Sequence, residues 1–243
     1  MTALLELEHL HYCFPGSAEP ALRGASLRVE AGRRVALVGR NGAGKSTLML
    51  HANGLLRPSA GQVRVAGEPL VYSRRGLLAV RRQVGLVFQN PDDQLFSASV
   101  AQDISFGPMN LGLDVAEVRR RVVEAAGLCE VRDLLDRPTH ALSGGQKLRV
   151  ALAGVLAMAP RVILADEVIA GLDPWMRRQV LAIFDRLVAQ GVTVLLATHD
   201  LTAARRWADQ VAVMEAGRVV AVAPPDAIFG DAELRRLIGA DEW

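Results

Sequence analysis

The segment Gly39-Arg40-Asn41-Gly42-Ala43-Gly44-Lys45-Ser46-Thr47 holds the residue types best suited to chemistry in this sequence. It fits the spacing GxxxxGK[ST], follows an apolar run and opens a helical pattern at about Lys45. Glycines at these positions let the backbone turn so that successive N–H groups face phosphate oxygens, and the helix start behind them adds positive potential. Lys45 then reaches the outer phosphates and Ser46 offers a hydroxyl to Mg²⁺. Of the 28 basic residues 26 are arginine, and lysine is kept only at Lys45 and Lys147. A phosphate cradle needs a compact ammonium on a flexible stem rather than a planar fork, which explains the first of these lysines.

A second chemical feature is the run Val162-Ile-Leu-Ala-Asp166, an apolar strand pattern that ends on a carboxylate and is followed by Glu167. Beside a phosphate loop, this order places Asp166 on the Mg²⁺ shell and Glu167 where it can polarise an attacking water. Kinases or GTPases and motor or transporter ATPases both fit up to this point. Leu142-Ser143-Gly144-Gly145-Gln146 separates them. It forms a second anion-receptive helix start, and a nucleotide already held at Lys45 has no use for another cradle in the same chain. The economical reading is that it serves a partner's nucleotide.

These motifs need a scaffold. At 243 residues and 51% hydrophobic content, the chain can bury a large core, and one continuous domain over 1–243 is expected. Short stretches with period-two alternation, Leu5 to Phe14, Ala25 to Glu30 and Gln62 to Ala66, read as an N-terminal antiparallel β lobe. Val35 to Gly39, Val84 to Gln89, Val162 to Asp166 and Thr193 to Thr198 are nearly all apolar, as strands of a mostly parallel sheet covered on both faces should be. From about 90 to 160 the pattern is helical, including Val115 to Leu128 and Gln146 to Met158, and reads as a helical lobe inserted in an α/β core. Asp173, Pro174 and Gly191 bracket a further helix as N-cap, first helical residue and C′.

The formal charge is +2, and the arginines come as scattered pairs that mark solvated faces rather than a nucleic-acid surface. No apolar run approaches the roughly 18–20 residues that cross a bilayer. Cys13 and Cys129 fit no metal or redox spacing and suit a reducing cytoplasm, with no disulfide expected. His9, His11 and Cys13 alternate along one strand pattern and are suitable ligands for a transition-metal ion such as cobalt. Leu5 and Leu7 share that face, so a packed strand is the simpler reading.

Taken together, the motifs and their order resemble those of the ABC-type ATPase subunits over essentially the whole length. The resemblance implies an ATP-hydrolysing enzyme, with ATP and Mg²⁺ as substrate and cofactor and a head-to-tail dimer holding two nucleotides at its interface. Each would lie between one subunit's phosphate loop and the other's Ser143, Gly144, Gly145 and Gln146. By position, Gln89 matches the glutamine that senses Mg²⁺ and γ-phosphate, and His199 the switch histidine. Asp173 falls in the loop at the dimer interface, and Phe14 or Tyr12 matches the aromatic that stacks on adenine. The family's usual DEPTAGLD reads here Asp166-Glu-Val-Ile-Ala-Gly-Leu-Asp173, with Val168 and Ile169 as departures.

The segment Val87-Phe-Gln-Asn-Pro-Asp-Asp-Gln-Leu-Phe96, with Gly107-Pro-Met-Asn-Leu-Gly-Leu113, is similar to the ATPases of energy-coupling-factor importers, most of all to the cobalt or nickel branch. That implies a transmembrane coupling subunit and a substrate-capturing membrane subunit as partners, with the chain peripheral on the cytoplasmic face of the membrane. Cobalt, nickel or a vitamin such as biotin remain open as cargo, as do homodimer and heterodimer. A soluble ABC ATPase of a cytoplasmic assembly system is the rival from another class.

Overall fold

The computed structural model describes residues 3–240. Its N-terminal part is an antiparallel sheet in the order β2-β1-β4-β5, formed by β1 (Ala3–Tyr12), β2 (Leu22–Glu30), β4 (Ala60–Val65) and β5 (Glu68–Pro69). Between β2 and β4 lie β3 (Arg34–Val38) and α1 (Lys45–Ala52), and after β5 come α2 (Arg74–Gln83) and β6 (Val84–Val87). The helical lobe follows as α3 (Val100–Asn110), α4 (Val115–Leu128) and α5 (Gly144–Leu156). The chain then returns through β7 (Val162–Asp166), α6 (Pro174–Ala189), β8 (Thr193–Ala197), α7 (Leu201–Trp207), β9 (Gln210–Glu215) and β10 (Arg218–Ala223), and ends in α8 (Pro225–Gly230) and α9 (Ala232–Ile238). The second sheet runs β10-β9-β3-β8-β7-β6, parallel throughout except for β10, which is antiparallel to β9.

The expected α/β core with an antiparallel lobe and a helical insertion is therefore present. The near-continuous apolar runs are explained by where alternate residues go. Ala36, Val38, Ile163, Ala165, Val194 and Leu196 pack into one core with the helical lobe. Val35, Leu37, Val162, Leu164, Leu195 and Ala197 pack into another, with α1 and the antiparallel sheet. A parallel strand buried on both faces has no polar side to show.

Local chemistry sets the helix boundaries. Helices α2 to α7 each start on a Ser or Asp side chain that accepts a backbone N–H: Ser73, Ser99, Asp114, Ser143, Asp173 and Asp200. Helix α5 begins two residues earlier than its apolar pattern suggests. Ser143 Oγ accepts from Gln146 N at 3.4 Å while Gln146 Oε1 accepts from Ser143 N at 2.9 Å, a reciprocal cap that pulls both glycines into the first turn.

β1 departs from ideal alternation. His9 has φ 48°, its N–H donates to Ser26 Oγ at 2.9 Å, and the pairing with β2 shifts register between Leu7 and Leu10. That bulge breaks the shared face on which His9, His11 and Cys13 would have converged. Among the described residues no group of three or more His, Cys, Asp or Glu forms a metal site.

Cys13 is exposed, whereas Cys129 is fully buried in the helical lobe, and burial pushes its thiol up to about 12. At pH 8, an alkylating reagent should therefore modify Cys13 alone in the folded protein and both thiols after unfolding. Mass spectrometry of the labelled protein checks this, and rapid labelling of Cys129 in the native state would contradict the packing described.

Candidate functional site

A cavity of about 490 Å³ opens at the C-terminal ends of β3, β7 and β8. Asn41, Gly42, Gly44, Lys45, Ser46 and Thr47 of the loop line it with Gln89, Glu167, His199 and Phe14, while Gly39, Arg40 and Ala43 lie outside the lining. Asn41 and His199, about 158 positions apart, meet here because β3 and β8 are neighbours, and a parallel sheet delivers the ends of its strands to one rim, while Phe14 arrives from the antiparallel sheet.

The loop after β3 is shaped by close approach. A Cβ at Gly39, which sits at φ 152°, would lie 2.2 Å from the Met214 carbonyl on β9, so only glycine fits. Gly42, at φ 80°, faces open space. Helix α1 starts on Gly44 with no side-chain cap. Its first N–H groups thus lack the internal acceptor that α2 to α7 possess, and they are available to an anion.

Lys45 is buried, and its Nζ donates to the carbonyls of Gly39 at 2.9 Å and Arg40 at 3.4 Å. It also stands 3.5 Å from Glu167 Oε1. The other Glu167 oxygen faces His199 Nδ1 at 2.8 Å and accepts the His199 backbone N–H at 3.2 Å. Glu167 itself lies in the left-handed region, φ 53°, fixed by its N–H to the Ala197 carbonyl at 3.0 Å. A non-glycine residue holds such a conformation only where its surroundings over-determine it, and here they aim a carboxylate at the cavity. Val168 and Ile169, the two departures from the family pattern, are buried in the core beneath this turn, which closes with Ala170 N to Glu167 O at 3.0 Å.

Asp166 ends β7 just behind the lining. Burial raises its carboxyl above the ordinary range, the Ser46 hydroxyl opposes that shift, Glu167 adds to it and Lys45 lowers it. Among the described residues its buried Oδ1 has no hydrogen-bond partner. An orphaned carboxylate oxygen beside a serine hydroxyl is a hard, oxygen-only donor pair of the kind Mg²⁺ prefers, with Gln89 across the cavity as a third oxygen donor.

The two aromatic candidates separate. β1 ends at Tyr12, so the period-two rule stops there and does not govern Phe14. Phe14 lines the cavity and is 41% exposed. Tyr12 turns inward, edge-on to buried His51 at 4.8 Å, with Phe14 against it at 5.0 Å. Arg40 lends the site only its carbonyl, and its guanidinium reaches the Arg236 carbonyl at 3.4 Å.

Leu142 to Gln146 are not among the cavity's lining residues. Asp173 caps α6, its Oδ1 accepting from Trp175 N at 2.8 Å and Met176 N at 3.0 Å. That helix start packs on the Ser143 segment, for a Cβ on Gly145 would meet Met176 Cε at 2.6 Å.

Reasoning from sequence missed two contributors. Ala21 lines the cavity beside Phe14. Arg177 joins Asp200, the residue after His199, and its Nη2 reaches the Leu172 carbonyl at 3.4 Å. Neither carries a motif signal, because each acts through tertiary placement.

The family model for ABC transporter matches residues 22–170. The energy-coupling factor transporter ATP-binding protein EcfA of Methanothermobacter thermautotrophicus is 47% identical over 96% of this chain and 75% of its own length. The cobalt import ATP-binding protein CbiO of Rhodobacter capsulatus is 51% identical over 95% of this chain and 82% of its own. Among solved structures, cbiO1 from Clostridium perfringens, described as part of the ABC transporter complex cbiONQ, superposes with a TM-score of 0.86. It shares 41% identity, with 97% of this chain and 94% of that one covered.

The geometry yields a paired expectation. Lys45→Ala should abolish tight MgATP binding, whereas Glu167→Gln should leave binding intact and lower turnover by about 10²–10⁴, the range for removing a general base. Nucleotide titration and phosphate release measure the two. Parental hydrolysis by the Glu167→Gln protein would remove that carboxylate from its role.

Proposed function

The chain belongs to the ABC transporter family as an ATPase subunit, and from that premise we propose that it powers an energy-coupling-factor importer, with cobalt ions as the cargo. In this reading MgATP sits in the cavity with its phosphates on the N–H groups before α1 and on Lys45, and with Phe14 against the base. Ser46, Asp166 and Gln89 would hold Mg²⁺, which neutralises developing phosphate charge when bound. Glu167 orients the attacking water and takes up its proton, while His199, hydrogen-bonded to Glu167, keeps that carboxylate in place beside the γ-phosphate position.

A second copy of the chain, docked head to tail, supplies Ser143, Gly144, Gly145 and Gln146 to the same nucleotide. The capped Ser143 hydroxyl still has a proton to donate to a phosphate oxygen. Asp173 lies at that junction. Residues 1–243 act as one ATPase unit, with about 90–160 as its helical part.

One observation carries the transporter reading: the segment leaving the ATP cavity at Gln89 runs straight into an apolar groove of about 310 Å³ lined by Phe88, Phe96, Phe106 and Met158. Of its lining, Phe96 and Phe106 are 65% and 50% exposed, and Met109, three residues after Phe106 on α3, is 63% exposed. An amphipathic helix of a membrane-embedded coupling subunit fits such a groove by its apolar face. Among the described residues no helix is long and apolar enough to cross a membrane, so membrane attachment would come through this docking and be peripheral. The 51% identity to a cobalt import ATP-binding protein supports cobalt as the cargo.

The test is to recover the tagged protein from detergent-solubilised membranes of its own organism and identify its companions by mass spectrometry. The proposal expects a coupling subunit together with a cobalt-type membrane component, and loss of both when Phe106→Glu and Met109→Glu are combined. Companions of nickel or biotin type would redirect the cargo, and soluble companions alone would overturn the importer assignment.

A further inference from the structure

Lys147 is one of only two lysines kept in the chain, and nothing in the site accounts for it. Its Nζ donates to Asp92 Oδ1 at 2.6 Å, with the lysine side chain largely covered, 19% exposed, beneath the more open carboxylate. Asp92 belongs to the short turn Pro91–Asp93, one residue beyond Gln89, and its own N–H is held by Asn90 Oδ1 at 3.2 Å.

Gln94 makes a second tie. Its Oε1 accepts from Phe88 N at 3.2 Å and its Nε2 donates to the Ala151 carbonyl at 3.3 Å. Lys147 and Ala151 are four residues apart on α5, one above the other on the same helix face. The segment carrying Gln89 is thus fastened to α5 at two points one turn apart. The same helix begins on Ser143, Gly144 and Gly145.

We infer that the Lys147–Asp92 pair is a positioning link that makes the Gln89 segment and the Ser143 helix start move as one body, so that filling this chain's own cavity repositions the surface offered to the second copy's nucleotide. The inference rests on the head-to-tail dimer of the proposed function. Lysine suits the task because Asp92 presents a single oxygen to a residue in the first turns of a helix, where a point charge on a flexible stem reaches what a planar fork would overshoot. With the Asp92 carboxylate 62% exposed, solvent screens the pair and it adds little to folding stability. Its removal should therefore leave the monomer intact and act on the coupling between sites.

Four chains decide the matter: the parent, Lys147→Met, Asp92→Asn, and the exchanged pair Lys147→Asp with Asp92→Lys. Melting temperature and ATP affinity without Mg²⁺ report on fold and cavity, and ATPase rate against ATP concentration reports on turnover and cooperativity. Both single variants should melt and bind ATP like the parent, turn over about tenfold more slowly, as loss of a site-to-site coupling of ordinary size would give, and lose cooperativity. The exchanged pair should recover both. Parental turnover and cooperativity in either single variant would overturn the link, as would an exchanged pair as impaired as the single variants. A parent whose rate rises hyperbolically with ATP, with no ATP-dependent dimer, would instead remove the two-site premise, and the link with it.

Discussion

Glu167 shares its two oxygens between Lys45, at 3.5 Å, and the His199 ring, at 2.8 Å, and that shared carboxylate is what the remainder of the fold is arranged to hold. Glu167 and His199 follow the ends of β7 and β8, and Lys45 opens α1 after the loop that leaves β3, the three strands lying side by side in the order β3-β8-β7 of one parallel sheet. Lys45 and Glu167 are both buried, and a buried charge that loses its partner is strongly destabilising. The register of the sheet and the chemistry of the cavity are therefore one constraint. If β7 slipped by one residue against β8, Glu167 would leave Lys45 and the strand would turn its apolar residues from one core to the other.

The same economy governs the helix starts. A side-chain cap fixes a helix end cheaply, and α2 to α7 use one. Helix α1 forgoes it, leaving its first N–H groups without a side-chain acceptor. Helix α5 lies between these cases. Ser143 caps it, while a Cβ at Gly144 would meet nothing within 4 Å, so the backbone there stays open to an approaching anion. Gly145 is glycine for another reason, since Met176 of α6 occupies the space beside it.

Much of this was legible in the sequence because the signals are local or periodic. The phosphate loop, the acidic pair at the end of an apolar strand, and the Asp173-Pro174 helix start all depend on neighbours within a few residues. The edge hairpin of β9 and β10, residues 210–223, carries no comparable signal, and only the sheet shows that β9 pairs with β3 beside the phosphate loop. The choice between Tyr12 and Phe14 fails for a physical reason, because alternation holds only while the strand lasts and β1 stops at Tyr12. The left-handed backbone of Glu167 and the tie from Lys147 to Asp92, 55 residues apart, exist only in the folded chain.

The central claim is that one nucleotide is held by the phosphate loop of one copy and the Ser143 segment of another. It is tested most directly by mixing two inactive chains, Lys45→Ala and Gly144→Asp, the latter placing a negative charge where a side chain has room. In a head-to-tail pair of the two, one composite site carries both defects and the other carries none. The account predicts that each chain alone is inactive and that the equimolar mixture recovers ATPase up to about a quarter of the parental rate, since half the pairs are mixed and half their sites are whole, and less than that to the extent that the empty cavity leaves its chain's Ser143 segment unplaced. A mixture as inactive as its components would show that the two motifs do not meet across an interface, and would contradict the account.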